Sequence, residues 1–243
     1  MKKTLNASQL KWLALVTMFV DHFAATILEA YGNAKGIPIG YYVYDLFSGL
    51  APLQLTYVVM RLIGRLAFPI YIFLLVEGFI HTRDIKRYIL RMAIFALISE
   101  IPFDLAFYGQ VFETSHQNVF ITMTLGLLML SIMRFFEEKE NVAYRLVNIF
   151  VALGFYYLNN YLGADYGGYG IILIAITYIF RDQRLSQAIM IGILGFEQFT
   201  ASLSGLIVYF YNGERGRQLN KYFFYIFYPA HLLLLYLLMR AAF

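Results

Sequence analysis

Apolar runs of about twenty residues, each long enough to cross roughly 30 Å of hydrocarbon as a helix, recur along the chain between short polar or basic segments. They predict helices at about 10–30, 53–81, 86–108, 119–136, 144–161, 169–180 and 221–241. Residues 185–212 are also apolar, but they lie between two basic segments, Arg181-Asp-Gln-Arg184 and GERGRQLNK at 213–221. If both segments face one side, 185–212 goes out and back as two short helices, with Glu197-Gln198 as the turn. The alternative is one long helix and one crossing fewer. The preferred count is therefore nine helices, with eight as the alternative. Helix 2 is longer than a simple span, so it must tilt or bend, and Pro69 is the expected bend, with Pro102 a second one in helix 3. Lysine and arginine favour the cytoplasmic loops. Lys2, Lys3 and Lys11 thus place the N-terminus in the cytoplasm, together with the segments 81–87, 134–145, 181–184 and 213–221.

Composition sharpens this picture. The chain has 243 residues, of which 60% are hydrophobic and 14% charged, with a mean hydropathy of +0.63; soluble domains carry about 25% charged residues. The fold class is all-α, a polytopic transmembrane helix bundle in one integral-membrane domain spanning 1–243. The 21 Tyr and 23 Phe suit interfacial belts and bundle packing. Cysteine is absent, which excludes disulfides, thiolate zinc sites and a cysteine nucleophile. The net charge of +4 resides mostly in short loops, where it reads as topology, so the expected surroundings are a lipid bilayer and not nucleic acid. Lys2-Lys3 before an apolar run resembles the start of a signal peptide. Asp21-His22 inside that run, and the lack of a small-x-small cleavage site, make it the first membrane helix instead. No internal repeat is visible, which weakens an inverted-repeat transporter.

The polar residues of the first helix carry the candidate chemistry. Lys11 and His22 are eleven residues apart in LKWLALVTMFVDHFAATILE. At about 100° per residue they return to one face, and Glu29 falls on it as well. Ionisable groups inside a membrane helix cost about 2.5–3.5 kcal/mol each on insertion scales and normally face the protein interior at a working site. Asp21 is the neighbour expected to orient the His22 ring. Other helices bring polar groups to a similar depth: Arg61 and Arg65 on helix 2, Glu100 and Asp104 on helix 3, Asn118 and Thr122 at the start of helix 4, and His231 after Tyr228-Pro229 on the last helix. Each has a plain alternative. Arg61 and Arg65 could simply pair with Glu100 and Asp104 to lock two helices together. His231 could be a helix-packing hydrogen bonder, and His81 and His116 sit in loops. Arg83, Lys86, Arg87 and Arg91 are either positive-inside residues or an anion clamp at the cytosolic mouth, and Lys11 has the same ambiguity. A buried histidine with arginines nearby is equipment for acyl transfer and equally for a proton relay.

LKWLALVTMFVDHF, then RLIGRLAFPIYIFLLVEGFIHTRDIKRYILRMAIFALISEIPFD, then QNVFITMTLGLL and FYPAHL together resemble the TraX family. The likeness covers about 10–130 and 220–240, while 140–220 is similar only in hydropathy. It implies N-acetylation of pilin subunits at their processed N-terminus, in a bacterial cytoplasmic membrane. The family is similar to the wider transmembrane acyltransferase group, including the acyltransferase-3 proteins. These carry a basic residue, ten intervening residues and a histidine on the first helix, a spacing that Lys11 and His22 match. The resemblance implies His22 as catalytic residue and acetyl-CoA as donor, with no metal. In the resulting expectation Asp21 orients His22. Arg61, Arg65 and His231 stabilise developing charge, while Glu100, Asp104, Asn118 and Tyr228 serve the acceptor or its surroundings. Lys11, Arg83, Lys86, Arg87 and Arg91 hold the donor's phosphates. The acceptor is a pilin, another peptide or, as a rival, a surface glycan hydroxyl. The rival of another class is a proton-coupled transporter using His22, Glu100 and Asp104 as its relay.

Overall fold

A computed structural model describes residues 3–39, 50–138, 142–217 and 220–243. Lys2 and parts of the loops 31–52, 134–145 and 213–221 lie outside the described residues. Nine helical segments follow in order, and no strand occurs among the described residues. They are α1 (Ala7–Ala34), α2 (Pro52–His81), α3 (Ile85–Tyr108), α4 (Val119–Glu137), α5 (Val142–Tyr161), α6 (Gly167–Ile179), α7 (Arg184–Gly195), α8 (Leu203–Tyr209) and α9 (Lys221–Ala242). Among the described residues, α1, α2, α4 and most of α9 are long and apolar enough to cross a membrane; α6 and α7 are apolar but shorter. One end of the bundle gathers the N-terminus with the turns after α2, α6 and α8, and is called the N-terminal face below. Leu5 bridges to Tyr211 there, and Arg184 pairs with Glu77 at 3.0 Å. The far face gathers the α3–α4 and α5–α6 turns, joined by a bridge between Gln117 and Ala164.

Local sequence explains the helix ends. α1 starts earlier than the apolar run because Asn6 and Gln9 form a reciprocal capping box, with bonds of 3.0 and 2.9 Å. Asp84 caps α3 by accepting from the Arg87 N–H, Asn118 caps α4, and Gly109 ends α3 in the left-handed conformation. The second half of α2, Ala67–His81, is the central rod. Ile70, Ile72, Phe73, Val76 and Phe79 are fully buried in it, with α1, α4, α6 and α8 packed around.

The bend in α2 falls at Arg65-Leu66, one turn before the expected Pro69. Pro69 has no N–H to offer the carbonyl four residues back, that of Arg65, so the helix ladder opens there. Pro102, by contrast, sits within a continuous α3. The segment 185–212 does go in and return, turning at Gln198-Phe199. α7 and α8 have 12 and 7 residues, or about 18 and 10 Å of rise, so the hairpin does not span the hydrocarbon. Its tip meets the bend of α2 instead. The Thr200 and Ser204 hydroxyls donate to the Leu62 and Leu66 carbonyls at the bend, and the first of these replaces the Leu66 N–H, which turns to the Ile63 carbonyl. Small residues let the two arms touch: a Cβ on Gly205 would run into the Ala188 carbonyl oxygen and lie 2.8 Å from the Gly192 nitrogen. Gly205→Val is therefore expected to pry the hairpin apart and lower the detergent melting temperature by several degrees. Leu206→Ala, at a position 58% exposed beside it, should leave that temperature nearly unchanged.

Candidate functional site

His22 lies at the point where α1 widens into a π turn, Ala24–Leu28, an irregularity frequent at functional sites. The Thr26 hydroxyl donates to the His22 carbonyl at 2.7 Å. Across from it on α9, His231 is buried and its Nε2 lies 2.7 Å from His22 Nδ1, with the two rings parallel to within 2°. His231 Nδ1 lies 2.7 Å from the Phe227 carbonyl oxygen. That carbonyl can only accept, so Nδ1 of His231 carries the proton and its Nε2 is the acceptor of the neutral ring. Nδ1 of His22 must then donate. What remains is His22 Nε2 with its lone pair, the arrangement a base or nucleophile needs. Phe107 and Tyr228 close on the ring edge-on at 5.4 and 6.0 Å.

The orienting contact expected from Asp21 is thus made by His231. Neighbours on a helix point about 100° apart, and Asp21 faces α2, where its carboxylate accepts from Arg61 at 2.6 Å and lies 3.9 Å from Arg65. Gly64 permits this approach, because a Cβ there would overlap the Asp21 side chain. Glu29 also leaves the His22 face, accepting from the Tyr57 hydroxyl of α2 at 3.2 Å. The π turn is the cause. Its hydrogen bonds close on i+5, so it winds fewer degrees per residue and carries Glu29 round towards the Asp21 side. Lys11 keeps the face that the spacing assigns to it with His22: its ammonium lies 5.5 Å from the Phe224 ring of α9.

Glu100 and Asp104 do not meet the arginines. Glu100 accepts from the side-chain and backbone N–H groups of Asn118, whose amide also reaches the Ala96 carbonyl at 2.8 Å. Asp104 accepts from the Glu113 N–H at 2.9 Å and so folds the α3–α4 turn. The reason is azimuth: α3 packs on α4 and α9, whereas the first half of α2 packs on α1. Tyr228 is buried between α4 and the histidines, with its ring 5.8 Å from His231 and 5.0 Å from Phe120.

Asp165 and Tyr166 join the site although the sequence pattern does not single them out. They lie in the Gly-rich α5–α6 turn, GADYGG, whose only signal is one acid among turn residues. Tyr166 is left-handed at φ 62° and stacks on Phe68 with centroids 3.5 Å apart. The Asp165 N–H donates to the Gln117 carbonyl at 2.8 Å, and Gly163 (φ 64°) passes so close to Ser115 that a Cβ would collide with its carbonyl oxygen. Arg65, Asp21 and Arg61 all act electrostatically on Asp165. Burial pushes its carboxyl up to about 6, although the Tyr166 N–H at 2.9 Å and the arginines pull the other way. A pocket of about 460 Å³ opens above it on the far face, lined by Tyr108, Ser115, Asn160 and Asp165 among others.

The basic residues divide into two sets. Arg83, Lys86 and Arg87 are exposed on the N-terminal face, where Arg87 pairs with Asp84 at 3.0 Å. Arg83 and Lys86 line a groove of about 510 Å³ with Ser131 and Arg134. Arg91 lies deeper, its guanidinium 5.6 Å from the Tyr88 ring and hydrogen-bonded to Tyr225. Phe224 and Tyr225 precede His231 by seven and six residues, so Lys11 and Arg91 flank α9 about 10 Å along its axis from the histidines. His81 and His116 are exposed. Among the described residues, no three His, Cys, Asp or Glu side chains converge as a metal site would require.

A family model described as TraX protein matches residues 6–239. The chain is also similar to a "Probable fimbrial assembly protein FimC, serogroup H1" from Dichelobacter nodosus. The two are 28% identical over 265 residues, covering 95% of this chain and 94% of that one. No solved structure matches.

Proposed function

The chain belongs to the TraX family, and from that membership and its histidine pair we propose a membrane-embedded acetyltransferase that uses acetyl-CoA. The observation that carries the reading is the chain from the Phe227 carbonyl through His231 to His22, which fixes both tautomers and leaves His22 Nε2 basic inside the bundle. The N-terminal face is taken as cytosolic, in a bacterial cytoplasmic membrane. Acetyl-CoA approaches from there, its phosphates drawn by Arg83, Lys86 and Arg87 at the surface and by Lys11 and Arg91 further in. The thioester carbonyl reaches His22. That residue either takes the acetyl group on Nε2 or removes a proton from the acceptor as it attacks. In both routes the carbon–sulfur bond breaks and the thiolate is protonated. Positive charge forming on His22 is shared with His231 through their hydrogen bond, and Arg61 and Arg65 oppose negative charge on the carbonyl oxygen. The acceptor comes from the far face. A relative named for fimbrial assembly favours a peptide amine, such as a pilin N-terminus, over a glycan hydroxyl.

The test is incubation of purified protein in nanodiscs with acetyl-labelled acetyl-CoA. CoA release and label on the protein are followed for the wild type and for His22→Ala. Release that depends on His22 supports donor chemistry, and label mapped to His22 selects the covalent route. Normal release by a folded His22→Ala protein overturns the proposal.

A further inference from the structure

We propose that Thr200, at the tip of the α7–α8 hairpin, is a positioning residue for the transfer: its hydroxyl fixes the bend of α2 and so aims Arg61 and Arg65. The inference rests on the acetyltransferase reading and adds a residue that acts only through those arginines.

The hairpin has no spanning role. Its arms of 12 and 7 residues stop part-way through the hydrocarbon, so its contribution is made where the tip lands, on both halves of α2. The tip is tightly built. A Cβ on Gly195 would lie 2.7 Å from the Ala201 carbonyl oxygen, so the chain reverses there without room for a side chain. Phe199 has φ 52° and ψ −87°, a conformation that a side chain resists, and the Ser202 hydroxyl donates to its carbonyl at 2.7 Å. Strain of this kind persists where the surroundings over-determine it, and it clusters at functional sites. The next residue is Thr200, and the strained turn delivers its hydroxyl to the Leu62 carbonyl at 2.5 Å.

That contact lies inside the turn that carries the arginines. The Arg65 N–H still donates to the Arg61 carbonyl at 3.2 Å, but the Leu66 N–H goes to Ile63 at 3.3 Å and leaves the Leu62 carbonyl to Thr200. Pro69 opens the ladder at the Arg65 carbonyl; Thr200 extends the break back to Leu62. Leu62 falls between Arg61 and Arg65, whose guanidinium groups reach the Asp21 carboxylate at 2.6 and 3.9 Å. Both also act electrostatically on His22 and Asp165. The bend therefore sets where two cations stand relative to His22. A group that stabilises developing charge works only from the right place, and a misplacement of about 1 Å can cost about 10²-fold.

The experiment compares Thr200→Val, which keeps the shape and loses the donor, with Thr200→Ser, which keeps the donor, in full-length protein in nanodiscs. Thr200→Val is expected to lower CoA release from acetyl-CoA about tenfold or more through kcat, with KM nearly unchanged. Thr200→Ser should recover most of the rate. A double-mutant cycle separates positioning from general support. In an Arg65→Gln background, Thr200→Val should cost clearly less than it does alone, because one of the groups it aims is already gone. Fully additive losses, or wild-type release by Thr200→Val, overturn the proposal.

A second readout needs no activity. The chain has no cysteine, so spin labels can be placed at Leu55→Cys on the first half of α2 and at Phe112→Cys on the α3–α4 turn, positions 43% and 74% exposed. Leu55 stands eleven residues from the bend, about 16 Å of lever, so a change of about 20° in the kink moves it by about 5 Å. Thr200→Val should shift or broaden the distance between the labels, and Thr200→Ser should not. An unchanged distance in folded Thr200→Val overturns the positioning role even if the rate falls. If Thr200→Val misfolds, Thr200→Ala is read in the same way. Wild-type protein without His22-dependent CoA release would discard acetyl transfer, and the label distance would then decide alone whether Thr200 sets the bend.

Discussion

His22→Ala lowers acetyl transfer by about 10³-fold or more, and His231→Ala lowers it by about 10²-fold, both in protein that still folds. A positioned base typically contributes about 10²–10⁴, and His22 Nε2 is the nitrogen that the hydrogen-bond chain leaves basic. His231 acts differently. It touches His22 and not the reacting carbonyl, so its loss removes the acceptor that fixes the His22 tautomer and shares its charge. The two roles predict different signatures. In single turnover, His22→Ala should show no His22-dependent step at any pH. His231→Ala should retain a slow step whose pH profile moves, because the ring that gains the proton has lost its partner. His231→Gln restores an accepting oxygen and should recover part of the rate. A His231→Ala enzyme with wild-type rate and pH profile would remove His231 from the mechanism, and a proton relay through the pair would predict pH-driven flux in liposomes instead of CoA release.

How far these residues can be read in the sequence follows from what a linear pattern encodes. Apolar run length gives the helices, so even the short out-and-back segment at 185–212 is legible. Depth is legible as well: His22, His231, Tyr228 and Arg61 are expected at one level and are brought together. Azimuth is not. Two groups at equal depth on different helices meet only if those helices are neighbours with the right rotation. Glu100 and Asp104 therefore face Asn118 and Glu113 rather than the arginines. Helical spacing fails at Glu29 because a π turn has no residue signature comparable to proline. Asp165 is hidden because a turn acid in a Gly-rich stretch looks like ordinary solvated loop. Only the packing of Gln117, Gly163 and Tyr166 carries it inward.

The second large effect lies between α1 and α2. Asp21→Ala is expected to destabilise the protein by about 3–5 kcal/mol, the usual result of removing one member of a buried ion pair. The Arg61 and Asp21 side chains are 18% and 13% exposed, so solvent compensates only weakly. The loss arises less from the missing attraction than from the guanidinium left behind in a bundle interior. This distinguishes it from a cavity effect. Asp21→Asn keeps the volume and should still be clearly destabilising, whereas Asp21→Asn with Arg61→Met removes both charges and should recover much of the loss. Recovery should remain incomplete, because Arg65 also lies towards Asp21 at 3.9 Å. Gly64→Val reaches the same contact by sterics, since its side chain would occupy the space of Asp21. Thermal unfolding in detergent, followed through the fluorescence of Trp12, ranks the four variants. If the double variant melts no higher than Asp21→Asn, the stranded charge is not the main source of the loss, and the packing of α1 on α2 around Gly64 sets the stability of this interface.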